Sequence, residues 1–280
     1  MSRGSLTLVG TPIGNLGDLS PRALQALALA DVIAAEDTRR TRTLLSAAGI
    51  PAGGRLFSLH ARSDEAVVNK LVERLVAGSN GAYVTDAGMP GISDPGENLV
   101  RACISEGVPV SVVPGPSAVL LALVLSGLST TRFAFEGFLP RRGRERSERL
   151  RQLAAERRTM ILFEAPRRVR STLADLAAHL GGERRVAVAR ELTKRFEGVW
   201  RGQLAEAAAD EGERRGEHVI VLEGAPPPPP PGPEELEKVL RAELEAGSSV
   251  RDAAAAAVGV LGVSKRAAYE LARTLRDDQG

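Results

Sequence analysis

The chain is predicted to be an α/β protein, with two α/β domains followed by a small helical domain. Three observations predict this. Short β-favouring runs alternate with amphipathic helical patterns through the first 224 residues, which calls for sheets covered by helices. The ends of those runs are rich in glycine, proline and small polar residues. Six consecutive prolines, Pro226 to Pro231, then separate a stretch of purely helical pattern from everything before it.

The first run, "LTLV" from Leu6 to Val9, is short, apolar and strand-like. Gly10, Pro12, Gly14 and Gly17 break regular structure after it. Asp18 or Ser20 can cap the helix expected over 20–30, and Pro21 suits its first turn. Strands follow at 32–37, 55–60 and 81–88, with helices at 41–48, 64–77 and 97–106 between and after them. The helix at 64–77 shows its period through Val67, Val68, Leu71, Leu75 and Val76. A fifth strand within 108–118 runs into an apolar helix. This alternation predicts a mostly parallel sheet with both faces covered.

A second unit opens near residue 130, with strands at 132–136, 159–164, 185–190 and 218–222 and helices at 146–156, 169–179 and 204–210. The prolines form a stiff spacer of about 19 Å at roughly 3.1 Å per residue. Helices are expected beyond it at 234–246, 250–258 and 264–276, the last with Ser264 as N-cap. The predicted organisation is therefore 1–129, 130–224, a linker at 225–233, and 234–280.

A length of 280 residues suits two domains with separate cores. With 43% hydrophobic and 26% charged residues the chain reads as globular. Aromatics make up only 3%, so the cores fall to Leu, Val and Ala. The longest apolar run, 118–125, is too short to span a bilayer, and no positive-then-apolar leader is visible, so a cytoplasmic location is expected. A single cysteine excludes an internal disulfide, and His60, His179 and His218 lack ligand spacing, so no metal site is expected. The net charge of +2 says little about partners. Clustering says more: 141–158 carries eight arginines against three glutamates, a solvated face or a phosphate-holding segment.

Ligand sites in α/β proteins form at strand ends. Here those ends read "GTPIGN", "EDTRRT", "LHARSDE", "TDAGMPGISDPG", "PGPSA", "EAPRR" and "ARELTK". In the fourth, Gly88 and Gly91 allow close backbone approach, while Asp86 and Asp94 either cap turns or take hydroxyls or an amine. In "PGPSA", Ser117 and Ala118 begin a helix whose free N–H groups can bind an anion or a ribose oxygen. Neither GxGxxG nor GxxxxGK[ST] occurs at these turns, and no Ser-His-Asp or Cys-His set is apparent.

Together with "FEGFLPRR" and "ARELTKRFEGVWRG", these motifs resemble the small-subunit ribosomal RNA 2′-O-methyltransferases of the tetrapyrrole methylase superfamily, over roughly residues 6–223. The resemblance implies two α/β domains with S-adenosylmethionine in the cleft between them. It implies methylation of a cytidine 2′-hydroxyl in 16S rRNA of the 30S subunit, at the decoding centre, and a homodimer. By motif, the donor would lie near Pro12 and Gly14, Asp86 to Met89 with Ala87 and Gly88, Ile92, Ser117, Ala118, Glu164, Ala165 and Arg190. "LHARSDE" departs from the family's usual LHEHNE-like pattern: His60 is kept, but Arg62 and Ser63 stand where a second His and an Asn are common.

Methyl transfer from a sulfonium requires alignment of the nucleophilic oxygen and help in removing its proton. The candidates are His60, Glu36, Asp37, Lys194 and Glu191, with Lys194 acting as a cation or, if its pKa is depressed, as a base. Arg39, Arg40, Arg141, Arg142 and Arg144 would hold RNA phosphates. Two alternatives stay open: a methyltransferase acting on a small tetrapyrrole, and a non-enzymatic RNA-binding assembly factor built on the helix–turn–helix-like "GVSKRAAYELARTL".

Overall fold

The structure is a computed structural model that describes residues 3–60, 62–93, 96–210, 212, 215–227 and 231–277. The chain divides into two compact units, Met1–Ala225 and Pro226–Gly280.

The first sheet of the larger unit consists of β1 (Leu6–Val9), β2 (Val32–Ala35), β3 (Leu56–Ser58), β4 (Gly81–Val84) and β5 (Val110–Val113). Their spatial order is β3-β2-β4-β1-β5, and every pairing is parallel. Strand side chains alternate between faces. Ile33 and Ala35 pack with Leu27 of α1 (Pro21–Leu29) and Leu45 of α2 (Thr38–Ala47). Val32 and Ala34 join Leu71 of α3 (Glu65–Val76) and Leu99 and Cys103 of α4 (Glu97–Ser105) on the other face. Both faces are thus covered, which explains why β2 and β4 read as unbroken apolar runs. Helix α2 begins three residues before the expected start. Asp37 caps it, accepting from the N–H groups of Arg39 at 2.8 Å and Arg40 at 3.4 Å. The polar "TRR" hides that first turn from a reading based on apolar period.

The second sheet holds β6 (Phe133–Phe138), β7 (Thr159–Glu164), β8 (Arg185–Arg190), β9 (Gly198–Gln203) and β10 (His218–Leu222), in the order β6-β7-β10-β8-β9. Only β6 and β7 run parallel; the other pairings are antiparallel. Strand β9 is absent from the sequence-based assignment. Its glycines and Arg201 obscure an alternation that sends Val199 to one core and Trp200 to the other. Helices α6 (Gly143–Ala155), α7 (Val169–Leu180) and α8 (Leu204–Ala209) cover one face. The other is covered by α5 (Ala118–Ser126), whose Val119, Ala122 and Leu123 pack on Ile161, Ala187 and Val221. Helix α5 follows β5 in sequence but forms a layer of the second sheet.

The smaller unit contains α9 (Pro233–Glu245), α10 (Val250–Leu261) and α11 (Lys265–Asp277) around Leu236, Leu240, Ala257, Ala268, Ala272 and Leu275. Ser264 caps α11, accepting from Ala267 N–H at 3.1 Å. Pro228 to Pro230, the middle of the expected spacer, lie outside the described residues. Among the described residues, no helix is long and apolar enough to cross a membrane.

Candidate active site

The glycine-rich loop after β1 is zipped to the turn after β4. Thr11 N–H donates to Gly88 O at 2.9 Å, and Gly88 N–H returns a bond to Thr11 O at 3.1 Å. Gly88 has φ +85°, a conformation that favours glycine. At Gly10 a Cβ would stand 2.6 Å from Gly115 N, so the turns after β1 and β5 meet backbone to backbone. A Cβ at Gly14 would collide with the stem of Lys194, from the loop after β8. These glycines let the first sheet's turns close against the second sheet's loops.

Between them lies a cavity of about 340 Å³. The first sheet lines it with Ile13, Ala87, Gly88, Met89 and Ile92. Helix α5 points its start at it through Ser117 and Ala118, whose early N–H groups have no partner within the helix. The second sheet adds Glu164, Ala165, Glu217 and His218, with Phe138 and Phe163 packed edge to face at 5.7 Å between centroids. Mostly apolar walls with a few convergent polar groups suit a small organic ligand.

Two charged clusters border this cavity on the second sheet. Glu164 is buried: its Oε1 accepts from Ala165 N–H at 2.8 Å, and its Oε2 accepts from the Thr172 hydroxyl at 2.6 Å. Thr172 in turn accepts from the Arg146 guanidinium at 3.1 Å, and Arg146 is held by Asp175 at 2.8 Å. Beside this chain, Lys194 Nζ donates to Glu191 Oε1 at 3.0 Å and to Glu217 Oε2 at 2.9 Å. The bond from Glu217 N–H lowers the Glu191 pKa, with Lys194 adding to the effect. For Lys194, burial acts to lower the pKa but the two carboxylates outweigh it, so the net shift is upward. Lys194 is therefore a held cation. Among the described residues, the non-glycine residues with left-handed φ are Ser93 (59°), Glu191 (51°) and Thr193 (66°). Ser93 lines the cavity, and the other two flank Leu192, which also lines it. Such strain gathers at functional sites.

The structure brings together Ala87, Gly88, Met89, Ile92, Ser117, Ala118, Glu164 and Ala165 of the predicted donor residues. Pro12, Gly14, Asp86 and Arg190 are not on the lining, although Pro12, Gly14 and Asp86 adjoin residues that are. Asp86 Oδ2 pairs with Arg40 at 3.2 Å, while its Oδ1 is buried without a partner. None of the five catalytic candidates lines the cavity. Glu36 accepts from Asp86 N–H at 3.4 Å, and burial raises its pKa. Asp37 is a helix cap, and Arg39 holds its pKa down at about 2. His60 Nδ1 accepts from Arg62 N–H at 3.2 Å in a local turn. Of the phosphate candidates, Arg39 is bound to Asp37 and Arg144 pairs with Glu148, while Arg141 and Arg142 are exposed. Within 141–158, Arg146, Arg149 and Arg158 pair with Asp175, Glu136 and Glu156, so much of that run's charge is answered inside the protein. Asp94 lies outside the described residues.

Glu217 and His218 were missed for a topological reason. Strand-end reasoning looks at C-terminal ends, but β10 is antiparallel to its neighbours. The first residue of β10, His218, pairs with Glu164 and Arg190, the last residues of β7 and β8. Only the order of strands reveals this.

The tetrapyrrole (corrin/porphyrin) methylase family model matches residues 5–208. The ribosomal RNA small subunit methyltransferase I of Xylella fastidiosa is 50% identical over 226 residues, covering 79% of this chain and 82% of that protein. The protein of the same name from Escherichia coli O157:H7 is 42% identical over 275 residues, covering 97% of this chain and 95% of that protein. Among solved structures, uroporphyrin-III C-methyltransferase from Thermus thermophilus, complexed with S-adenyl homocysteine, superposes with TM-score 0.54 at 22% identity, covering 79% of this chain and 97% of that one. Precorrin-6Y methylase from Archaeoglobus fulgidus gives 0.53 at 21% identity, covering 80% and 99%. The chain belongs to the tetrapyrrole methylase family, among the ribosomal RNA small subunit methyltransferases I.

Proposed function

We propose that this chain transfers a methyl group from S-adenosylmethionine to a cytidine 2′-hydroxyl of 16S rRNA, at the decoding centre of the 30S subunit, in the cytoplasm. The observation that carries the reading is the convergence of strand-end motifs on one apolar cavity, in a chain half identical to ribosomal RNA small subunit methyltransferases I. When bound, S-adenosylmethionine supplies a sulfonium-activated methyl group. Ala87 to Met89, Ser117 and Ala118 hold it, with Pro12, Gly14, Ile92, Glu164 and Ala165 shaping the pocket around it. The unpartnered Asp86 Oδ1 beside this wall suits a hydroxyl or an amine. Glu217, steadied by Lys194, faces the cavity and accepts the proton from the ribose hydroxyl. The exposed Arg141 and Arg142 hold backbone phosphates.

The predicted organisation, with domains at 1–129, 130–224 and 234–280, is part of the proposal. A chain ending at Gly224 should still bind the donor. A homodimer is proposed as well. It is supported by the outer face of α5, where Leu120 is 52% and Val124 72% exposed, an apolar surface that a second copy would cover. The function is tested by supplying tritiated S-adenosylmethionine with 30S subunits, naked 16S rRNA and a tetrapyrrole, side by side. Label recovered as 2′-O-methylcytidine from rRNA supports the proposal. Label in the tetrapyrrole, or in neither, contradicts it.

A further inference from the structure

The smaller unit distributes its charge unevenly. From Pro226 to Ser264 it carries three basic and six acidic residues, whereas α11 carries four basic against two acidic. Helix α11 buries Ala268, Ala272 and Leu275 against the unit's core. Its opposite side displays Arg266, Tyr269, Arg273 and Arg276, all exposed. At roughly 100° per residue these four, spaced three, four and three apart, fall within about 80° of the helix circumference. They form one stripe about 15 Å long at roughly 1.5 Å per residue.

Tyr269 stands in the middle of that stripe and is 48% exposed. It is one of only two tyrosines, and the other, Tyr83, is fully buried. A ring left in water between guanidinium groups is a platform for a base. Among the described residues, Arg273 and Arg276 make no ion pair, and Arg266 pairs only with Glu270 on an open surface, at 2.9 Å. Exposed helical pairs of that kind contribute little and exchange readily. The helix follows α10 after a short turn with Gly262 at φ +67° and the Ser264 cap, so it is presented on a fixed scaffold.

We propose that this stripe of α11 is a second RNA-binding surface, with the arginines on phosphates and Tyr269 stacked on an unpaired base. The proposal rests on the rRNA reading above and extends it to residues outside the cavity. Charge complementarity selects a polyanion. The exposed tyrosine favours unpaired RNA, because a base in a duplex has no free face to offer, and RNA recognition relies on stacking in loops and single strands.

The test uses the full chain, a fluorescein-labelled RNA hairpin with an unpaired loop, and a duplex DNA competitor of equal length. Tyr269→Ala should weaken hairpin binding roughly tenfold, while Tyr269→Trp keeps it, since either ring can stack. The triple variant Arg266→Ala, Arg273→Ala and Arg276→Ala should lower the slope of log affinity against log salt by about 2, at about 0.7 per lost phosphate contact. Calorimetric affinity for S-adenosylmethionine should match the unchanged protein in every variant. Hairpin affinity and salt slope unaffected by these changes would overturn the inference, even if rRNA methylation stands. Equal competition by duplex DNA would also overturn it, because the surface would then be reading charge alone. Failure to methylate rRNA by a protein whose hairpin binding still responds to Tyr269 would count against the proposed function and support this surface.

Discussion

Glu36 on the first sheet and Glu191 on the second both follow the end of a strand, and their surroundings differ. At Glu36, burial dominates: it raises the carboxyl pKa above 4.5, against a single backbone bond from Asp86. At Glu191, bonding dominates: Glu217 N–H and Lys194 bring the pKa below 4.5. The same division runs through the cavity walls. The first sheet meets the cavity with turn backbone, held by the Thr11–Gly88 bridge and the close contact of Gly10 with Gly115. The second meets it with paired charge, through the buried Glu164–Thr172–Arg146 chain and the more exposed Glu191–Lys194–Glu217 cluster. This teaches a division of labour. A wall of backbone suits recognition of a fixed small molecule, and a wall of held charge suits acid–base chemistry.

The largest effect should come from breaking the backbone wall. Gly88→Val places a branched side chain at φ +85°, with its Cβ 3.4 Å from Ile13 and facing the cavity region. Strain of about 1–3 kcal/mol adds to the filled space, so calorimetry should find no donor binding. Next comes the charged wall. Glu217→Gln should lower kcat on the order of a hundredfold and leave donor affinity unchanged, the signature of a proton acceptor. Equal losses in both would make Glu217 part of the donor pocket instead.

A structural break in the same wall should register as stability. Arg146→Ala takes away the guanidinium that donates to Thr172 and pairs with Asp175, and should cost about 3 kcal/mol, read as a lower urea midpoint. This is the low end for a broken buried pair, because Asp175 is 44% exposed.

The smallest effect follows from the two glutamates. A carboxyl whose folded pKa is raised costs stability once ionised, and that cost sets in as pH rises through the folded value. Glu36→Gln should therefore raise the thermal midpoint slightly at neutral pH and leave it unchanged in acid. Glu191 works the other way: its contribution is present above 4.5 and is lost as pH falls through its lowered folded value. Lys194 contributes below 10.5 and loses that contribution as pH rises through its raised value. The second-sheet cluster is thus most stabilising between those limits, and Glu191→Gln should remove the difference between neutral and acid stability that it supplies.

Much of the first sheet was legible because its strands are parallel and connected by helices, so each apolar run and each glycine turn has a fixed meaning. This side of the cavity was legible for the same reason: Ala87 to Met89 and Ser117 follow the ends of such strands. The second sheet was harder. Strand β9 carries too little alternation to show a period, and the antiparallel sense of β10 hides Glu217 and His218 from any rule about strand ends. The arginine run from 141 was only partly legible, for a different reason. Composition counts charges but not the partners that folding supplies: Glu136 and Asp175 lie outside the run, 13 and 29 residues from their arginines, while Glu156 lies inside it beside Arg158. His60, Lys194 and Asp37 were offered by residue type, and only the fold shows that Asp37 caps a helix and that Lys194 is held by two carboxylates.

The claim that both sheets build one donor site is tested most directly by a crystal structure with S-adenosylhomocysteine. The account predicts the ligand between the two sheets, touching the backbone of Ala87 to Met89 and the start of α5 at Ser117 and Ala118, with Glu217 left facing the space beside its sulfur. A ligand bound away from those turns, or held by one sheet alone, would contradict it.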